Sequence, residues 1–261
     1  MSDYDVSLSR AQQALENGHH AEAVRIARKL VTDDPQNAEA AALLGEALVE
    51  AGHLMEGVKL LEQALALNPD ELDYQFALSD ACFEAGQIDR ARQLYNQILE
   101  KDPKQVDALV SLGLVCFHQE KFDQAEHYYR LALEVDPEAV FALQSLGDTC
   151  FAAGRLDEAQ SCFMKAWELD PEDPQTAYSL GELLHDRGEL DAATDYCRQA
   201  VRLDPDFALA YLTLGNISLD QDLVQESVHF FRKFLDLEQG TSSAEVCDEV
   251  KALLKDLEAE L

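Results

Sequence analysis

A chain of 261 residues with 47% apolar content carries enough apolar material for a packed core and too much for a disordered tail. Its 20 Lys and Arg stand against 51 Asp and Glu, a formal charge of -31 and a pI near 4.3. That balance repels phosphate backbones and anionic headgroups, so neither nucleic acid nor a membrane surface is an expected partner.

In chain order, the start MSDYDVSLSRAQQ has no cationic lead before an apolar run, and residues 1–3 are expected to be disordered. No apolar segment approaches the roughly 20 residues needed to cross a bilayer, so the expected setting is cytoplasmic, with no membrane insertion. From residue 4 onward one pattern returns every 34 residues. It is plainest in 140–173, where Leu146, Gly147, Cys150, Gly154, Ala159, Phe163 and Ala166 precede Asp170 and Pro171. The same template fits 4–37, 38–71, 72–105, 106–139, 174–207 and 208–241 without an insertion.

The first copy is worn, with Arg10 and His20 where later copies carry apolar residues, as expected of an end repeat with one face in water. The second has Gly57 where the others have alanine, a choice that weakens its helix slightly. The fourth replaces the turn glycine by Glu120. The seventh departs from the template at Asp222, Ser227, Phe234 and Gln239, where the array ends.

Each copy reads as two helices. Leu143, Leu146, Gly147 and Cys150 recur three and four apart and make one buried stripe, and Leu156, Ala159, Phe163, Ala166 and Trp167 make the second. Gly154 offers the left-handed conformation that follows many helix C-termini. An Asp-Pro or Asn-Pro pair at 34, 68, 102, 136, 170 and 204 stops the second helix, and proline's fixed φ suits the start of the next. Small residues such as Gly147 and Ala159 mark points where two helix backbones approach closely. Beyond the array, Ser242 and Glu245 make a capping-box start for an apolar stripe of Val246, Val250, Leu254, Leu257 and Leu261, so residues 242–261 are expected to be a capping helix, with a docking helix as the alternative.

The side chains that could carry chemistry do not converge. Six cysteines include no C-x-x-C, and Cys82, Cys116 and Cys150 lie one repeat apart. Neighbouring helices pack about 8–10 Å apart, beyond the roughly 7 Å Cα limit for a disulfide, so these three are expected as small buried packing residues. His118 and His185 are two repeats apart with no third ligand in view, and the glycines follow the repeat rather than a phosphate-cradling loop. Neither enzyme activity, metal nor cofactor is expected.

On these residues the chain resembles the tetratricopeptide-repeat family, whose 34-residue helix-turn-helix carries leucine-glycine, tyrosine, alanine, phenylalanine and proline at set offsets, with cysteine or leucine in place of tyrosine at several positions here. The likeness covers residues 4–241, although no copy has the pattern's leading tryptophan. It implies an all-α, right-handed superhelical solenoid whose first helices line a concave groove for peptides or partner proteins. The groove-facing places are then the second, fifth, ninth, twelfth and thirteenth of each first helix. They include Glu46, Asp73, Phe76, Asp80, Phe83, Asp107, Phe117 and His118, and continue through Phe141, Gln144, Asp148, Phe151, Tyr178, Glu182 and His185. No Lys or Arg occurs at those places. Relatives that clamp acidic chaperone C-termini do so with cations in this groove, so an acidic chaperone tail is not the expected ligand. The expected ligand is a protein or peptide segment with Lys or Arg beside apolar anchors, bound by a non-catalytic scaffold or adaptor. The alternatives are a self-associating assembly protein, a homo-oligomer through its terminal repeats, or an accessory subunit of an enzyme or secretion complex.

Overall fold

The computed structural model describes residues 3–238 and 244–260, and every regular element in them is an α-helix. They form two compact units, divided between Val135 and Asp136. The first holds α1 (Asp3–Glu16), α2 (His20–Asp33), α3 (Ala38–Glu50), α4 (Leu54–Leu67), α5 (Leu72–Glu84), α6 (Ile88–Lys101), α7 (Val106–His118) and α8 (Phe122–Val135). The second holds α9 (Val140–Ala152), α10 (Leu156–Leu169), α11 (Pro174–Asp186), α12 (Leu190–Leu203), α13 (Ala208–Asp220), α14 (Val224–Leu237) and α15 (Ala244–Glu260). Within each unit every helix packs on the next in the chain, and first helices also touch across a pair, α3 on α5 and α11 on α13. The architecture is an all-α helical repeat solenoid. Of residues 1–3, expected as disordered, Asp3 opens α1, while residues 1 and 2 and the capping box proposed at Ser242 lie outside the described residues.

Each helix pair turns through the same backbone motif. In the third pair Gly86 N–H reaches Phe83 O at 2.9 Å and Gln87 N–H reaches Cys82 O at 2.8 Å, the double bond of a Schellman turn. It needs a left-handed residue. Gly86 and Gly154 supply φ of 71° and 73°, whereas Glu120 and Asp222 are forced to 57° and 59° in the turns that lack glycine. A non-glycine residue there costs about 1–2 kcal/mol, partly offset by glycine's larger unfolded entropy. Glu120→Gly is therefore expected to raise the stability of the first unit by about 0.5–1 kcal/mol, and Gly154→Ala to lower that of the second by about 1 kcal/mol, in denaturant melts. The Gly154 change does so although an added methyl would meet nothing within 4 Å.

The prolines act differently from the sequence expectation. Pro35, Pro103 and Pro171 lie in the turns, and the next helix begins three residues later, at Ala38, Val106 and Pro174. The preceding aspartates shape those turns. Asp34, Asp102, Asp136, Asp170 and Asp204 each accept a hydrogen bond from the N–H two residues on, at 2.9–3.1 Å. The next helix has its own cap where the sequence offers one. Asn37 accepts from Ala40 N–H at 2.9 Å, and Asp173 from Thr176 N–H at 2.7 Å.

Core packing explains the small residues. A methyl on Gly113, Gly147 or Gly215 would lie 2.3–2.4 Å from the ring of Tyr129, Phe163 or Phe231, so these glycines make room for an aromatic ring of the second helix. Backbones approach in the second pair, where Gly45 and Gly57 face each other's carbonyls, and in the sixth, where a methyl on Gly181 would lie 3.2 Å from Cys197 N and 3.3 Å from Ala193 O. The seventh pair's departures have local causes. Ser227 is buried, its hydroxyl donating to Gly215 O at 3.0 Å, and Phe234 is buried with Cys247, Val250, Leu254 and Leu257 of α15. Cys247 takes the buried place expected for Val246, which is 38% exposed. Cys82, Cys116 and Cys150 are all buried.

Candidate functional site

The first helices of each unit carry the candidate surface because of what their sequences leave out. In the first unit α3, α5 and α7 hold Glu39, Glu46, Glu50, Asp73, Asp80, Glu84 and Asp107, with no Lys or Arg. In the second, α9, α11 and α13 hold Asp148, Glu182, Asp186 and Asp220, again with no Lys or Arg. The cations work elsewhere. Arg28 pairs with Glu56 at 2.9 Å, Arg90 with Glu62, and Arg198 with Glu226 at 3.3 Å, all between second helices of successive pairs.

Two adjoining cavities open on the first unit's face. One, of about 420 Å³, lies between α1, α3 and α5 and is lined by Leu15, Glu39, Ala42, Leu43, Glu46, Asp73 and Tyr74 among others. The second, of about 290 Å³, lies between α3 and α5, with Val49, Leu61, Ala77 and Ala81 inside and Glu46, Glu50, Asp80 and Glu84 around it. Electrostatics follow from that arrangement. Burial, then Asp73, raises the Glu46 carboxyl above its usual range. Burial raises Asp80 too, opposed by the Tyr95 hydroxyl that donates to it at 2.5 Å and reinforced by Asp107. Glu84 is raised by burial and by its neighbours Glu50 and Asp80. The carboxylates repel one another across an apolar floor, and a cation brought from outside would relieve them.

The second unit's face is more apolar. Phe141 is 56% exposed and Leu209 48% exposed, at the second places of α9 and α13, where α3, α5 and α7 carry Glu39, Asp73 and Asp107. Asp148 is half-buried, and its carboxyl is pushed up to about 6, mainly by burial and then by Glu182. Glu182 is also raised by burial, against the Tyr178 hydroxyl that holds it down. Gln144 donates to Asp173 at 2.5 Å and to Thr176 Oγ1 at 2.6 Å, and His185 Nε2 lies 2.7 Å from Asp220.

Comparison with known proteins decides the family. Tetratricopeptide-repeat models match residues 6–29, 112–174 and 145–206, and the model of the cytochrome c-type biogenesis protein H TPR domain matches 26–140. The chain is a tetratricopeptide-repeat protein. Among solved structures, a tetratricopeptide-repeat protein from Parabacteroides merdae is 20% identical, covering 97% of this chain and 98% of that one at a TM-score of 0.75. A chain of the APC/C hetero-tetramer Cut9-Hcn1 is 17% identical over 97% of this chain and 49% of that one, at 0.77. These two share the fold. The protein MamA is 25% identical over 62% of this chain and 95% of its own, at 0.55. No curated protein matches this chain.

Set in this tetratricopeptide-repeat framework, the expected groove residues divide. Glu46, Asp73 and Asp80 line the two cavities of the first unit, and Asp107 is exposed on α7. Phe76 and Phe83 are half-buried against the first unit's core, and Phe83 meets exposed His118 edge-on with ring centroids 5.1 Å apart. Phe117 turns toward the start of α8, edge-on to Phe122 at 5.4 Å. Phe151 is half-buried, and Gln144 is held by Asp173 and Thr176. Tyr178 is only 8% exposed, its ring packed on Phe207 at 5.2 Å and its hydroxyl hydrogen-bonded to Glu182. One contributor was missed: Tyr74 lines the larger cavity from the third place of α5, whereas Leu15 reaches it from α1 at the twelfth place counted from residue 4. A place-by-place reading that included the third position would have found Tyr74.

Proposed function

We propose that this tetratricopeptide-repeat protein is a non-catalytic interaction scaffold whose first-helix face takes a partner segment carrying Lys or Arg beside apolar groups. The observation that supports this most is the placement of charge: the six first helices from α3 to α13 bear carboxylates and no Lys or Arg, and Arg10 of α1 pairs with Glu22 of α2. Half-buried carboxylates without an internal cation are costly, and a fold that keeps them on the first-helix face of each unit gains when a cationic partner arrives. Phe141, 56% exposed on the second unit's face, suits an apolar anchor.

Calorimetry with a Lys/Arg-rich peptide bearing aromatic anchors tests this at two salt concentrations. Affinity is expected to fall steeply as salt rises, since exposed charge pairs are screened within about 8–10 Å. Phe141→Ala is expected to weaken binding about tenfold, the loss of one aromatic anchor, with no change in melting temperature. Binding indifferent to salt, or seen only with acidic peptides, would sink the proposal. The likeness of residues 26–140 to a cytochrome c-type biogenesis TPR domain favours one setting for such a scaffold, an accessory role in an assembly machinery. Recovery of a stable stoichiometric complex on affinity purification supports that setting, whereas a self-associating chain shows a mass that climbs with its own concentration.

A further inference from the structure

A long basic side chain has an apolar stem and a charged head, and it lies best where an apolar floor meets an anionic rim. Both cavities of the first unit have that form. The smaller is floored by Val49, Leu61 and Ala77, with Asp80 and Glu84 at its rim. The larger sets Leu43 and the Tyr74 ring beside Glu39 and Asp73, and an aromatic face suits a guanidinium laid over it. A bare metal ion would leave both apolar floors unused. Neither cavity is lined by a Lys or Arg of the chain.

The two cavities adjoin, and Glu46 lines both. Along α3 the larger uses Glu39, Ala42, Leu43 and Glu46, and the smaller uses Glu46, Val49 and Glu50. At about 1.5 Å of rise per residue their centres along that helix are about 9 Å apart. In an extended segment, side chains two residues apart point to the same face and emerge about 7 Å apart, and long flexible stems splay over the remainder. Neighbouring residues point to opposite faces and cannot fill both.

Resting on the reading that this face takes a cationic partner, we propose that the first unit reads two basic side chains in an extended Arg-X-Arg segment, one in each cavity, with Glu46 shared between them. The charge, floors and spacing belong to one peptide rather than to two independent contacts.

The test uses the full chain and three capped peptides of equal length with Gly and Ser flanks, containing Arg-X-Arg, Arg-Arg-X or a single Arg, in fluorescence anisotropy at low salt. Arg-X-Arg is expected to bind at least tenfold more tightly than the other two. Glu46→Gln is expected to remove most of that gain, while Asp195→Asn, on the second helix α12 of the second unit and away from the first-helix face, changes it less than twofold. Thermal melts followed by circular dichroism check that Glu46→Gln remains folded, which its half-buried carboxylate favours. Equal binding of Arg-X-Arg and Arg-Arg-X, or equal effects of the two substitutions, would overturn this inference and leave the cationic-partner reading standing. Absence of any salt-dependent binding by all three peptides would remove both.

Discussion

Gly57→Ala is expected to destabilise the first unit by about 1–2 kcal/mol, although helix propensity alone gives alanine an advantage of about 1 kcal/mol over glycine within a helix. The reversal comes from the neighbour across the pair. A methyl on Gly57 would lie 2.6 Å from Val49 Cγ2, 2.7 Å from Gly45 O and 3.2 Å from Val49 N. The valine methyl could rotate away, but the carbonyl and the amide belong to α3 and move only with that helix. Gly45 is constrained in return, since its own methyl would meet Leu61 Cγ at 2.7 Å and Gly57 O at 3.1 Å. Overpacking of this kind costs about 1–3 kcal/mol, which exceeds the propensity gain. An array of repeats need not unfold in one step, so hydrogen exchange in α3 and α4 is the proper readout, with faster exchange expected there. Slower exchange would mean that α3 and α4 do not approach as closely as described.

Gly57 also marks a limit of legibility. Helix positions, turns and buried stripes follow from residues within one repeat, so Gly154, Leu146 and Ala159 could be read directly. The reason for Gly57 lies in Val49 and Gly45 on another helix, and a place-by-place comparison registers only that it is not alanine. Prolines misled for a related reason: Pro171 does stop a helix, but Asp170's side chain organises a turn that delays the next helix to Pro174. Charge on the candidate face was legible because the absence of Lys and Arg needs no coordinates. Aromatic exposure was not, since Phe83, Phe117, Phe141 and Tyr178 hold equivalent kinds of place, yet only Phe141 stands more than half exposed. What separates them is a partner ring, His118 or Phe122 on a neighbouring helix and Phe207 in the turn before α13.

Asp148→Asn is expected to stabilise the second unit by about 2 kcal/mol at pH 7.5 and to weaken a cationic partner at the same time. Burial pushes the Asp148 carboxyl up to about 6 from an ordinary 3.8. Below pH 4 the folded and unfolded chains both hold this proton, and the site costs nothing. Between pH 4 and 6 the unfolded chain ionises while the folded chain does not, so stability falls as pH rises. Above 6 the folded chain ionises too and the loss levels off, at an upper bound of about 3 kcal/mol for a shift of this size. Partial exposure and Glu182's own raised carboxyl reduce that to about 2 kcal/mol. Asparagine never ionises, so the variant and the parent are expected to melt alike below pH 4 and to separate between pH 4 and 6, with the gap constant above that. Affinity for a Lys/Arg peptide should move the other way: as the folded carboxyl ionises through pH 6 the parent gains binding and the variant gains less. A variant less stable than the parent at pH 7.5 would show that Asp148 supports the fold. The combination expected here, more stable and binding less, is the mark of a charge kept against the interest of the core for a partner's sake.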